Sequence, residues 1–392
     1  MRPDLIGQGT SRPSSADLVR YFLQLGTLGF GGPVALVGAM RRDLVERKRW
    51  LTDAEYREGL ALAQLAPGPL AAQLAMYIGY INGGVLGAAG IGVAFVLPSL
   101  VMVLLLGWAY TAFGGLAWVQ AVFYGVGAAV IGLIAHSAYG LLRRTVGTDP
   151  LLWAIAVVLG VATIVTGREM IVLVVLAGLV VWVARARPAW LGKAIAGDLA
   201  STGLFTIAVA DWAGELRQSL PLLAKLLGFF SFGGAFVFGS GLAIVPFLHG
   251  GVVLDHRWLT ELQFRDAIAV ALITPGPVVI TTAFIGFLVS GLAGGLVAAV
   301  GTFLPCFVLT VLPAPLFRRH GTRPWLAAIV QGVTAAAVGA LAGAVVVLGQ
   351  AALIDLTTVL VASGTLGARV LLPRVPEPLL VAGAATIGLM VR

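Results

Sequence analysis

The sequence predicts an all-α polytopic membrane protein built from two inverted-topology repeats, each with about five transmembrane helices and a re-entrant broken hairpin. Three observations carry that expectation. Of 392 residues, 59% are hydrophobic and 11% charged, with a mean hydropathy of +1.00, beyond what a soluble core of this length requires. Apolar stretches near the ~20 residues that cross a bilayer recur from end to end. The chain also matches itself: Phe30-Gly31 falls on Phe238-Gly239, Arg49-Trp50-Leu51-Thr52 on Arg257-Trp258-Leu259-Thr260, and Pro67-Gly68-Pro69 on Pro275-Gly276-Pro277, all at an offset of 208. From Phe30 to Pro69, 15 of 40 aligned positions are identical. Beyond them the offset becomes 207, pairing Gly79 with Gly286, Gly84 with Gly291 and Pro98 with Pro305.

Composition excludes several classes. The 52 glycines suit helices that approach closely or break in lipid. A single Cys306 excludes an internal disulfide, and it has no Cys or His neighbour at a ligand spacing, so no metal and no cofactor is expected and the residue reads as packed. The net charge of +8, from 25 Lys+Arg against 17 Asp+Glu, falls in short loops between apolar spans, where it orients the chain rather than binding nucleic acid. Met1 to Asp17 is polar and lacks the apolar stretch and cleavage site of a signal peptide, so the N-terminus is expected to be retained.

In order along the chain, a tail over 1–15 leads into a first repeat over 16–190, a charged linker over 191–217 and a second repeat over 218–392. Tyr21 to Met40 reads as a crossing with a break at Phe30-Gly31-Gly32-Pro33, matched by Phe238-Gly239-Ser240-Gly241, because glycine permits turns and close approach. Thr52 with Glu55, and Thr260 with Gln263, fit the capping-box pattern, so a helix starts just after Trp50 and just after Trp258. Each runs to its Pro-Gly-Pro and breaks there, since proline inside a helix removes a hydrogen bond and clashes with the preceding turn, whereas at a helix start it is tolerated. Thr52 to Asn82 therefore dips in and returns. Crossings follow over Gly84 to Tyr110, Gly115 to Leu142, Leu151 to Thr166 and Met170 to Ala184. This count places the N-terminus on the face opposite the basic loop Arg41 to Arg49.

That loop addresses orientation. Arg41, Arg42, Arg47, Lys48 and Arg49 crowd it, while the equivalent loop, His249 to Arg257, keeps only Arg257. One helix pair further on the imbalance reverses, with Arg318, Arg319 and Arg323 facing an uncharged Thr111 to Leu116. Under the positive-inside rule, corresponding loops then lie on opposite sides and the copies are inverted.

Broken helices at matching places in inverted copies point to a transporter site near the bilayer midplane. After Pro69 the amides of Leu70, Ala71 and Ala72, and after Pro277 those of Val278, Val279 and Ile280, have no intrahelical partner, and with the helix dipole they favour a small anion. Gln64, Gln73, Ser240, Thr274, Thr281 and Thr282 are the nearby candidate donors; the competing account is a hydroxyl bonded to its own preceding turn. Arg41 and Arg42 are gating candidates that also read as a solvated loop. Arg57-Glu58 and Arg265-Asp266 recur on the helix entering each break, as intramembrane charge pairs. His136 reads as a packed histidine, and His249 and His256 as loop residues. There is no phosphate-binding loop, His-Glu-x-x-His pair or nucleophile elbow, so ATP hydrolysis and enzyme chemistry are not expected. An intramembrane phosphatase acting on lipid pyrophosphates would need a nucleophile and acids near the breaks, where the chain offers Gln, Thr and apolar residues.

Phe30-Gly31-Gly32-Pro33, Arg49-Trp50-Leu51, Gln64-Leu65-Ala66-Pro67-Gly68-Pro69 and Phe95-Val96-Leu97-Pro98 resemble the first half of the chromate ion transporter family. Phe238-Gly239-Ser240-Gly241, Trp258-Leu259-Thr260, Ile273-Thr274-Pro275-Gly276-Pro277 and Phe303-Leu304-Pro305 resemble its second half, so the likeness covers nearly the whole chain. Gly250-Gly251 departs from the acidic and basic residues of many relatives. The resemblance implies a multi-pass protein of the bacterial inner membrane that exports chromate and confers resistance. Sulfate, a dianion of similar size and shape, is the rival cargo. A membrane sensor without flux is the reading from another class. A homodimer is allowed.

Overall fold

The computed structural model describes residues 13–30, 32–167, 170–186, 221–236, 241–315, 317, 324–372 and 375–392. The linker over 191–217, Arg318, Arg319 and Arg323, and Gly31, Phe238, Gly239 and Ser240 of the expected breaks lie outside them. Among the described residues every regular element is a helix.

In the first copy, α1 (Ser15–Leu28) starts at Ser14, whose hydroxyl oxygen accepts from the Asp17 N–H at 3.1 Å. It ends at Gly29, and α2 (Gly32–Met40) leads into a π-helical segment over Arg41–Arg47. These elements fold back on each other. The Tyr21 hydroxyl donates to Asp43 at 3.4 Å, and the Lys48 ammonium lies 5.9 Å from the centre of the Tyr21 ring. A continuous helix would separate Tyr21 from Asp43 by about 33 Å. Tyr21 to Met40 is therefore a hairpin, not a crossing, and the start of α1 lies at the same end as the Arg41 to Arg49 loop, where the expected crossing put them at opposite ends.

The second hairpin follows at once. α3 (Asp53–Leu65) begins with the capping box expected at Thr52 and Glu55. α4 (Leu70–Phe113) begins after Pro69. A Cβ on Gly59 would run into the Tyr77 ring, and each residue is nine positions from Gly68 (68 − 59 and 77 − 68), so α3 and the first arm of α4 run antiparallel. α4 then reverses at Gly83 and Gly84, the latter with φ 60, and Gly87 comes to lie backbone to backbone on Gly79. The second arm of α4 is long and lipid-suited: Val93, Leu97, Val101 and Leu105 are exposed along it. α5 (Ala117–Val146), α6 (Pro150–Thr166) and α7 (Ile171–Ala186) complete the copy.

The second copy repeats the plan. α8 (Leu222–Phe236) is followed by a short turn over Gly241–Ile244, α9 (Val245–Leu248) and a π-helical segment over His249–Asp255. α10 (Glu261–Ile273) carries its own capping box at Thr260 and Gln263. A tight turn over Val278–Ile280 opens α11 (Thr281–Val311), which reverses at Ser290 and Gly291 (φ 59) so that Gly286 meets Gly294. α12 (Pro324–Ala352), α13 (Leu356–Leu371) and α14 (Glu377–Val391) follow.

The copies are interlocked. The C-terminal end of α4 packs on the first arm of α11, with Tyr110 and Phe284 ring centres 5.7 Å apart and Gly107 against Phe287. Conversely, Ala314 and Phe317, just past α11, cluster with Tyr77 and Tyr80 on the first arm of α4. The end of each long arm thus lies at the beginning of the other, and the two arms are antiparallel. α5 lies on α13 and α14, with Gly125 against Ala384 and Gly132 against Ala362; α12 lies on α6 and α7, with Gly332 against Ala177 and Gly339 against Ala156. Small residues at these crossings let backbones touch, the usual basis of helix association in lipid.

Candidate functional site

Both Pro-Gly-Pro segments break their helices at a buried tip. α3 closes with the Ala66 N–H on the Leu62 carbonyl at 2.8 Å, and the first bond of α4 runs from the Gln73 N–H to the Pro69 carbonyl at 3.0 Å. The Leu70, Ala71 and Ala72 amides precede that bond. At the second tip the Ile280 N–H bonds the Pro277 carbonyl at 3.0 Å, so Val278 and Val279 precede the first bond but Ile280, expected to be open, does not. Gly68 has φ 142 and Gly276 φ 97, the left-handed region that favours glycine.

Each tip rests on a wall supplied by the other copy. A Cβ on Gly68 would sit 3.2 Å from the Cys306 Sγ, and one on Gly276 would run into the Ser99 Oγ. Ser99 and Cys306 are equivalent (306 − 99 = 207), each follows a helix-interior proline, and each donates to a glycine carbonyl of the first helix of its own copy: Ser99 to Gly26 at 3.4 Å, Cys306 to Gly234 at 3.5 Å. The Gly276 N–H also donates to the Gly29 carbonyl at 2.9 Å, joining the second tip to the turn of the α1–α2 hairpin. Sequence reasoning took Cys306 as merely packed and never raised Ser99. The offset that pairs Pro98 with Pro305 was the available signal.

The side chains singled out from sequence divide. Gln73 is fully buried, and its Nε2 donates to the Pro67 carbonyl at 2.6 Å with one amide hydrogen left over; its Oε1 is buried without a partner. Thr274 donates to the Val270 carbonyl at 2.5 Å, Thr281 to Val278 at 2.7 Å and Thr282 to Val279 at 3.0 Å, so these hydroxyl hydrogens are committed to the backbone. Gln64 is exposed, off the tip. Arg41 pairs with Asp53 at 3.1 Å, and Arg42 lies 3.7 Å from Asp43, both on the surface. Arg57, beside the half-buried Glu58, is exposed and held by Asp53 at 2.7 Å. Its equivalent Arg265 is half-buried next to the buried Asp266, with 4.0 Å between Nε and Oδ1. His249, read as a loop residue, is buried, with Nδ1 2.9 Å from the Gly167 carbonyl and Nε2 2.9 Å from Glu261.

A groove of about 640 Å³ opens between α1 and α2, lined in part by Tyr21, Gln24, Gly29, Phe30, Arg42 and Asp43. Between α8 and α9, against Ile171 and Val174 of α7, a gap bordered by Gly233, Phe236, Ala243, Ile244 and Phe247 holds about 10 Å³. Aromatic rings fill it: Phe229 stacks on Phe247 at 4.8 Å, and Phe232 packs against both Phe236 and Phe247. Gln24 and Ala39 of the first copy stand where the second has Phe232 and Phe247.

A family model described as "Chromate transporter" matches residues 16–182 and 224–389. The chain is 57% identical over 377 residues to the chromate transport protein of Cupriavidus metallidurans, covering 95% of this chain and 92% of that protein. It is 54% identical over 384 residues to a probable chromate transport protein of Synechococcus elongatus, covering 96% and 95%. A chromate transport protein of Pseudomonas aeruginosa is 32% identical over 349 residues, covering 86% and 82%. No solved structure matches the chain. Matched in both halves and over nearly its full length, this multi-pass membrane chain belongs to the chromate transporter family.

Proposed function

We propose that the protein exports chromate across the bacterial inner membrane by alternating access between two inverted copies, the cargo being held between the hairpin tips at Pro67-Gly68-Pro69 and Pro275-Gly276-Pro277. The observation that carries this reading is the exchange at the tips, Gly68 on Cys306 and Gly276 on Ser99, because it sets each tip against the other copy. Inversion is supported by the antiparallel long arms. An open groove in one copy and a ring-filled gap in the other suit a protein accessible from one face at a time. The relatives' names supply the cargo.

The amides at the two helix starts and the spare Gln73 hydrogen are suited to a tetrahedral dianion, which accepts hydrogen bonds on every oxygen. Moving two negative charges outward across an inside-negative membrane gains about 4.6 kcal/mol per 100 mV. That supports roughly a thousandfold outward gradient, so the membrane potential suffices as the driving force for the bare dianion. Sulfate shares this chemistry and is the rival cargo.

The test is counterflow of labelled chromate in liposomes holding purified protein, with voltage and pH gradient set separately and sulfate, molybdate and phosphate as competitors. Flux should follow voltage, and a folded, inserted double variant, Pro67→Ala with Pro275→Ala, should lose it. Normal flux in that variant removes the tips as the site. No flux from wild type in any voltage regime removes the transport reading.

A further inference from the structure

Arg265 is a costly arrangement that the tips do not explain. Its side chain is 12% exposed and that of Asp266 4%, yet their closest approach is 4.0 Å, beyond hydrogen-bond range. Both the Arg265 Nε and the Asp266 Oδ1 are buried with no partner. Asp266 is instead drawn the other way, its Oδ2 accepting from the Tyr110 hydroxyl at 2.8 Å. The guanidinium lies against Gly127 of α5, where a Cβ would come within 2.7 Å of Nε and 3.2 Å of Cζ in its present position. A buried Nε–H with no acceptor is unfavourable unless something else completes it.

The sequence repeat shows that this is a specialisation. Arg57 occupies the same place in the first copy, but it is 72% exposed and satisfied by Asp53 at 2.7 Å. The residues that build the pocket around Arg265 are not repeated either: at an offset of 207, Tyr110 becomes Phe317 and Gly127 becomes Thr334. The Tyr110 ring in turn touches Phe284, on the arm that starts at the second tip.

We propose that Arg265 is an oxyanion-binding residue, a second station on the path that leads to or from the second tip, with Asp266 shielding its charge when the station is empty and Tyr110 holding that carboxylate back from full contact. The planar fork of N–H donors matches two oxygens of a tetrahedral dianion at once, which a lysine could not do. The inference rests on the transport reading above and adds a residue that reading does not use.

The experiment measures initial counterflow rates against chromate concentration for wild type, Arg265→Gln and Tyr110→Phe in the same liposomes, with thermal unfolding recorded for each without chromate. Arg265→Gln should raise the KM at least about tenfold, equivalent to about 1.4 kcal/mol of lost binding. Tyr110→Phe, which places in the first copy the residue found in the second, frees Asp266 to close on the guanidinium and should raise the KM severalfold without lowering the melting temperature. Sulfate inhibition should weaken in parallel. A folded Arg265→Gln with wild-type KM, or a Tyr110→Phe that loses stability while its KM stays unchanged, assigns the cluster to packing and overturns the proposal. Wild-type protein without chromate flux would instead bring down the transport reading.

Discussion

At the residue scale, the repeat explains side chains that look unrelated. His249 and Glu261 occupy the places of Arg41 and Asp53, so the same bond between the π-helical segment and the following helix exists twice, as His249 to Glu261 at 2.9 Å and as Arg41 to Asp53 at 3.1 Å. His249 does more than its counterpart, because its other nitrogen reaches the Gly167 carbonyl at the end of α6 and so joins the copies. Both ring nitrogens face acceptors, and a side chain with several N–H donors can replace them. His249→Arg should therefore unfold within about 1 kcal/mol of wild type, whereas His249→Leu, which removes both bonds, should cost about 1–3 kcal/mol; thermal unfolding in detergent measures both. Equal melting of the two variants would show that these bonds add nothing. The pairing was hidden in the sequence because a lone histidine beside two glycines reads as a loop. The tip glycines were legible because proline and glycine act locally on the backbone, but Ser99 and the Arg265 slot were not, since each depends on a residue far away in the chain.

At the element scale, hydrophobic length alone could not separate a crossing from a hairpin. Tyr21 to Met40 has the apolar length of one span, yet Gly29 ends α1 and the chain returns, because the turn finds a partner in the Gly276 amide that no local pattern announces. The capping boxes at Thr52 and Thr260 and the broken Pro-Gly-Pro hairpins were readable, as caps and breaks are set by a few neighbouring residues. The reversal at Gly84 falls at the boundary read between the returning arm that ends at Asn82 and the crossing that starts at Gly84, and Gly291 is its aligned counterpart. These folds make a directional prediction. In a Cys306→Ser background, Ser14→Cys and Glu46→Cys should react with an impermeant thiol reagent from the same face, and Pro221→Cys from the opposite one. Labelling of Ser14→Cys and Glu46→Cys from different faces would restore a crossing in place of the first hairpin, and labelling of all three from one face would end the inverted reading.

At the scale of the whole molecule, the repeat was visible as an offset, but not that the copies would be wound through each other. Self-comparison reports which residues correspond, whereas packing reports which ones touch, and here α5 and α12 each lie on the last two helices of the opposite copy. Each half relies on the other to cover α5 or α12. Residues 1–190 and 218–392 produced as separate chains should each fail to accumulate in the membrane, while producing them together should restore both, as read by membrane fractionation. Stable accumulation of either half alone would contradict the interlock.

The seating of each tip on the opposite copy also bears on leakage. A carrier that dissipates a proton or voltage gradient while idle harms its host, and the usual hazard is a moment when both mouths stand ajar. Under the alternating-access reading proposed above, a tip that withdraws would leave the wall that the other copy supplies, so that the two tips would move together. Such gearing would let a cargo as small as a single oxyanion pass while giving ions no continuous wire of water to follow.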